Sequence, residues 1–283
     1  MTFPTRRSVA SLTLCMLLLS VFDATAQQAQ PPLSASDVQA PQIELGLRFE
    51  VEPHALDLLR AMSSRLAAAK TMMFTATTTY ESPDRTGQPL AYTTLSRVTL
   101  QRPNKLRVLT PYDGAPSEFY YDGSVMTAFS PEANVAAVSD APPTIDAMLK
   151  AAYDSAAIYF PFTDLIVADP YRDMTDGLRL AFVVGQSKVV GHTTTDIIVL
   201  ATDTLQVQMW IGATDHLPRM VRATFFDEPG NYRHVVELSD WQLDPPLSPD
   251  IFVAARAAKA RRMLFAAPDS ILPEAQAPGE ATP

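Results

Sequence analysis

One cysteine, ten glycines and four histidines in 283 residues leave little material for several kinds of chemistry. A lone cysteine excludes an intramolecular disulfide and any multi-cysteine zinc or iron–sulfur site. The histidines, His54, His192, His216 and His234, are scattered. Three of them fall in or beside predicted turns or at a helix start, where a solvated imidazole is the ordinary reading. The chain has no GxxxxGK[ST] phosphate loop, no HExxH, no GxSxG elbow, no SxxK and no CxxC. No nucleophile–base pair can be nominated, so the expectation is a non-enzymatic protein with no cofactor and no metal. Basic side chains are also scarce, 22 Lys plus Arg against 31 Asp plus Glu, for a net charge of -9. Without a basic block, a nucleic-acid partner is not expected.

What is present begins with an export pattern. Arg6 and Arg7 precede an apolar run from Val9 to Phe22, and Ala24-Thr25-Ala26 supplies small residues for a signal peptidase. Residues 1–26 read as a signal peptide cleaved after Ala26, with Cys15 lost inside it. The run is shorter than the roughly 20 residues of a membrane-spanning helix. A mature chain without cysteine suits an oxidising periplasm. Residues 27–52 lack periodicity and read as a flexible tether, and 266–283, dotted with prolines, as a disordered tail. The patterned region between, 53–265, reads as one domain.

Pro53 stands where a helix accepts proline, and Leu56, Leu59, Met62, Leu66 and Ala69 follow as one apolar stripe. After Lys70 the period changes to two: Phe74, Ala76, Thr78 and Tyr80 alternate with threonines, a β-branched strand. A second strand is predicted over 90–101, ended by Arg102-Pro103-Asn104, and a third from Lys105. Asp122-Gly123 between Glu118–Tyr121 and Val125–Phe129 predicts a two-residue type I′ hairpin turn. Thr144 is placed to cap a helix carrying Ile145, Met148, Leu149, Ala152 and Ala156 on one face. A shorter turn at Asp169-Pro170-Tyr171 is closed by Gly177. The second half is nearly all strand. Consecutive hairpins predict an antiparallel meander of about a dozen strands with one helical insertion.

Several strands carry bulk at both parities, as in Phe119 with Tyr120, Met209 with Trp210 and Phe225 with Phe226. Such a sheet needs cover on both faces. The helices supply one cover, and either the chain itself or a ligand completes it. Asp169, Asp173 and Asp176 do not match the alternating spacing of a calcium loop, and Asp169 reads as a helix cap. Arg97, Arg102, Lys105 and Arg107 lie on adjacent strands, and Arg256, Lys259, Arg261 and Arg262 near the C-terminus; both groups read as solvated faces.

The stretches Leu66–Tyr80, Leu100-Gln101-Arg102-Pro103-Asn104, Glu118–Gly123, Asp169–Gly177 and Ser239-Asp240-Trp241 together resemble the LolA/LolB-like superfamily of outer-membrane lipoprotein carriers. More closely, the chain is similar to a related family of predicted periplasmic proteins of bacteria. The resemblance implies an α+β, mainly β fold: an unclosed antiparallel β-barrel (half-barrel) with an N-terminal helix and a helical lid insertion. In the carriers the cavity holds acyl chains, and the arginine of the Arg-Pro motif, here Arg102, helps to hold the lid. A cavity lined by Phe74, Tyr92, Leu106, Phe119, Tyr121, Phe182, Met209 and Phe225 is expected. The implied protein is a periplasmic monomer binding a hydrophobic or acylated ligand, or else a sensor module of the same fold with an envelope protein partner.

Overall fold

In the computed structural model, residues 50–112, 114–227 and 230–267 are described. The proposed signal peptide, most of the tether and the tail from 268 lie outside them. The first helix, α1, spans Pro53–Ala68, with proline in its first turn as expected. Ala55, Leu59, Met62 and Leu66 are fully buried along one face. Each large apolar side chain so placed contributes about 1.5–3 kcal/mol. Glu50 and Glu52, within the segment read as a tether, are tied by backbone hydrogen bonds to Ala181, and the Glu52 carboxylate accepts from the Val183 N–H at 3.0 Å.

Six strands follow in sequence: β1 Thr71–Pro83, β2 Pro89–Gln101, β3 Lys105–Tyr112, β4 Ser117–Tyr121, β5 Val125–Ser130 and β6 Val135–Asp140. A helical insertion comes next, with α2 Ile145–Ala156, α3 Thr163–Ile166 and α4 Pro170–Thr175. The chain then returns to strand in β7 Leu180–Ser187, β8 Thr195–Ala201, β9 Leu205–Gly212, β10 Pro218–Phe225, β11 Arg233–Leu243 and the short β12 Arg261–Met263. These form one sheet in the order β12-β6-β5-β4-β3-β2-β1-β11-β10-β9-β8-β7. Its edges, β12 and β7, do not pair, so the sheet is not closed. The mainly β, unclosed architecture with an N-terminal helix and a helical insertion is the expected fold class.

Residues opposite one another across a ladder share a face of the sheet. One inner rank runs Phe74, Val98, Val108, Phe119, Ala128, Ala137, Met263. Another runs Thr78, Val236, Val221, Met209, Ile198, Val183. The helices pack on this face. On the outer face, Ala254, Ala257 and Ala260 pack on Phe129 and Ala136.

Two local expectations are corrected. The hairpin turn is not a type I′ turn centred on Asp122-Gly123: Asp122 lacks a positive φ, and its N–H donates to the Val125 carbonyl at 3.3 Å, which leaves Gly123 and Ser124 as the central pair. The Asp122 carboxylate accepts from the backbone N–H groups of both Ser124 and Val125 at 2.9 Å, which closes the loop one residue later. Nor is the sheet antiparallel throughout. Arg261–Met263, read as part of a solvated basic stretch, pairs parallel to β6 after a long crossing of the outer face. The connection is long enough to permit that geometry.

The β4–β5 turn also explains why the Arg-Pro-Asn and Asp-Gly motifs belong together. Gly123 has φ 106°, and a Cβ there would lie 2.7 Å from Asn104 Nδ2. Gly123→Ala therefore combines a disallowed φ with a clash against the neighbouring turn, and denaturant unfolding should show a loss of about 1–3 kcal/mol.

Candidate functional site

The insertion between β6 and β7 decides what remains open on the inner face. Thr144 caps α2 by accepting from the Ala147 N–H, and Asp169 caps α4 by accepting from the Arg172 N–H. Between these helices Phe160 and Phe162 point at the sheet and stack on each other at 5.6 Å. Phe160 meets Phe119 edge-on at 5.3 Å, and Phe162 meets Phe74 edge-on at 5.5 Å. Phe74 in turn stacks on Trp241 at 4.5 Å, where the β1–β11 register shifts. The indole N–H of Trp241 donates to the Pro218 carbonyl at 2.9 Å. This file of five aromatic rings divides the inner face, with a hollow on either side.

The first hollow, about 290 Å³, lies over β8–β11. Leu200, Leu205, Val207, Met209, Val221, Ala223, Phe225 and Val236 of the sheet form its floor. Its roof and rim come from Tyr159, Phe162, Asp164, Leu165, Asp173, Met174, Asp176 and Leu178. The second, about 570 Å³, lies between β3–β6, the end of α2 and the strap 261–266, against Phe119, Ile158, Phe160, Met263, Leu264 and Phe265. It is more open to solvent. Its strap is pinned at Ala267, whose N–H donates to the Ser155 carbonyl.

The expected cavity residues are accordingly scattered. Met209 and Phe225 line the first hollow and Phe119 the second. Phe74, Leu106 and Tyr121 are on the inner face but lie within the packed core, with the Tyr121 hydroxyl donating to the Pro142 carbonyl. Tyr92 lies outside both hollows, 43% exposed and stacked on Tyr80. Phe182 is on the opposite face, because it pairs with Val199 and through it with Gln208, the parity opposite to Met209. Arg102 lines neither hollow. It sits in the β2–β3 turn and reaches the insertion, Nη1 donating to the Ile166 carbonyl at 2.9 Å. Burial pulls its pKa down, and Asp146 acts the other way. The Asp146 carboxylate accepts from the Ala168 N–H, and the Ile145 N–H donates to the Pro103 carbonyl, so this corner ties the turn to the start of α2 and to the end of α3.

Sequence reading missed most of the first hollow's floor. Leu200, Val207, Val221, Ala223 and Val236 are unremarkable strand residues, and only the register across four strands puts them with Met209. It also missed Asp164. That side chain lines the hollow yet is exposed, and it makes no hydrogen bond or ion pair among the described residues. Enclosure first, then the Asp173 carboxylate, raises its pKa. Enclosure, then Asp164 itself, pushes the Tyr159 hydroxyl up to about 12, although 53% of Tyr159 stays exposed. No group of three or more metal-binding side chains occurs among the described residues.

A carboxylate with a raised folded pKa binds its proton more tightly in the native than in the unfolded state. Native stability then falls as pH rises from the unfolded value, about 3.9 for Asp, through the folded one. In thermal melts followed by circular dichroism, Asp164→Asn should melt above the wild type at pH about 7, and the gap should close as pH falls to about 3.5. A gap constant over this range would contradict a raised Asp164 pKa.

Comparisons with known proteins now have a geometry to stand beside. No curated protein matches the chain. Among solved structures, the Mycobacterium tuberculosis lipoprotein LppX is 14% identical with a TM-score of 0.44, covering 70% of this chain and 100% of its own. LprF from Mycobacterium bovis is 14% identical with a TM-score of 0.43, covering 70% of this chain and 96% of its own. A LolA superfamily protein from Nitrosomonas europaea is 10% identical with a TM-score of 0.36, covering 71% and 98%. Values of this size say nothing of what the present chain binds. The family model for predicted periplasmic proteins, DUF2092, matches residues 55–266, and the chain belongs to that family.

Proposed function

We propose that this is an exported, non-enzymatic periplasmic protein that holds one small hydrophobic molecule in the hollow over β8–β11. One observation carries the reading: between the insertion and the sheet, apolar side chains of β8–β11 line a hollow of about 290 Å³ that the packed helices do not fill. A well-packed interior leaves few voids larger than a water molecule. A hollow of about 290 Å³ is at the lower end of small-molecule sites, which begin near 300 Å³. Its lining includes Thr202 and His234 but no serine or cysteine, and it offers no obvious nucleophile for covalent chemistry. An apolar floor needs no motif to bind: each buried methylene contributes about 0.8 kcal/mol. That accounts for a binding site with no signature in the sequence. Residues 1–26 supply export, in keeping with the family's periplasmic description.

The test is protein purified from its native periplasm, examined by native mass spectrometry and then by organic extraction. About one small apolar molecule per chain is expected, and Ala223→Trp, which fills the hollow from the floor, should lose it without unfolding. A wild-type chain free of any such molecule, co-purifying instead with an inner-membrane protein, would overturn the reading in favour of an interaction module.

A further inference from the structure

The polar groups around the first hollow carry one sign. Its lining contains Asp164, Asp173 and Asp176 and no lysine or arginine. The two arginines next in sequence to the lining are already engaged: Arg172 pairs with Asp173 at 3.0 Å, and Arg179, next to the lining Leu178, pairs with Asp203 at 3.0 Å. Both are largely exposed, outside the lining. Asp164 and Asp176 make no ion pair among the described residues. His234, at the β10–β11 part of the floor, packs edge-on against Phe225 at 4.9 Å.

A fourteen-carbon chain entering a membrane gains an association constant of only about 10⁴ M⁻¹. A hollow of about 290 Å³ takes a shorter chain than that, so a polar anchor would add to its affinity. An anionic head, such as a fatty-acid carboxylate, would meet two unpaired carboxylates. A neutral head would leave them as they are. A cationic head would gain a charge-assisted hydrogen bond at the exposed rim, roughly twice as strong as a neutral one. The volume is too small for a folded or extended polypeptide segment, which limits the occupant to a small molecule.

We propose that the hollow over β8–β11 selects a single-chain amphiphile with a protonated amine head, its chain lying on Val207, Met209, Val221 and Val236 and its ammonium beside Asp164 and Asp176. This rests on the reading of the hollow as a ligand site and adds the head group to it. The raised pKa of Asp164 agrees with a carboxylate that lacks its counter-charge.

The experiment compares decylamine, 1-decanol and decanoate, each below its micellar concentration, by calorimetric titration of the purified protein. Decylamine should bind about tenfold more tightly than 1-decanol, and decanoate more weakly than either. The double variant Asp164→Asn, Asp176→Asn should bring decylamine to within about twofold of 1-decanol measured on the same variant, and Ala223→Trp should abolish all three. If the three probes bind alike in the wild type and Ala223→Trp still abolishes them, head-group selection is wrong and the apolar site stands. If none binds, both fall. Decylamine binding that survives Ala223→Trp would mark attraction to the acidic surface and overturn the proposal.

Discussion

The aromatic file Phe119–Phe160–Phe162–Phe74–Trp241 is the contact on which the inner face is organised. It joins a β4 residue to β1 and β11 by way of two rings from the insertion. Each ring buries a large apolar area, and edge-on and offset pairs add about 0.5–1.5 kcal/mol beyond burial. The file fixes the height at which the insertion rests on the sheet. It can do so only because Pro161 and its neighbours bring two phenylalanines down together between α2 and α3, and because the bulge in β1–β11 sets Trp241 over Phe74.

From that constraint the rest follows. To one side, α2 and the strap 261–267 close over β3–β6, leaving the more open hollow. To the other, α1 covers β7 and β8 and α4 stops short of β9 and β10, leaving the enclosed one. The corner at Arg102 keeps the insertion in register with the β2–β3 turn through the Ile166 carbonyl, while Asp146 holds Ala168. Apolar floor and acidic rim thus come from different parts of the chain. Strands after residue 195 supply the floor, and the segment 159–178 supplies the rim.

The elements were legible because their signals are local. Pro53 and the stripe through Leu66 announce α1, Thr144 and Asp169 announce their caps, and the period-two threonines of β1 announce a strand with one buried face. The site was less legible because it depends on register. Whether Phe182 or Val183 faces the helices is decided by pairing across β7–β8, which no short window reveals. Phe74, Leu106 and Tyr121, expected to line a cavity, lie in the packed core of the inner face, because aromatic and leucine bulk marks the residues that fill space rather than those that leave it. The smaller Val207, Val221 and Ala223 make the hollow. Tyr92 shares their parity yet lies too far along β2 for the helices to reach it. At Asp122 the side chain outcompeted the expected turn, and at Arg261–Met263 a long crossing allowed a parallel pair that hairpin counting does not anticipate.

The central claim is that the space over β8–β11 is a site and not a packing defect. The methionines report on it in place, since Met209 and Met174 line this hollow, Met263 lines the other, and Met72 and Met126 are sealed in the core. Methyl NMR of methionine-labelled protein titrated with 1-decanol should shift the Met209 and Met174 signals saturably and leave those of Met263, Met72 and Met126 in place. Shifts confined to Met263, or no saturable shift at all, would contradict it.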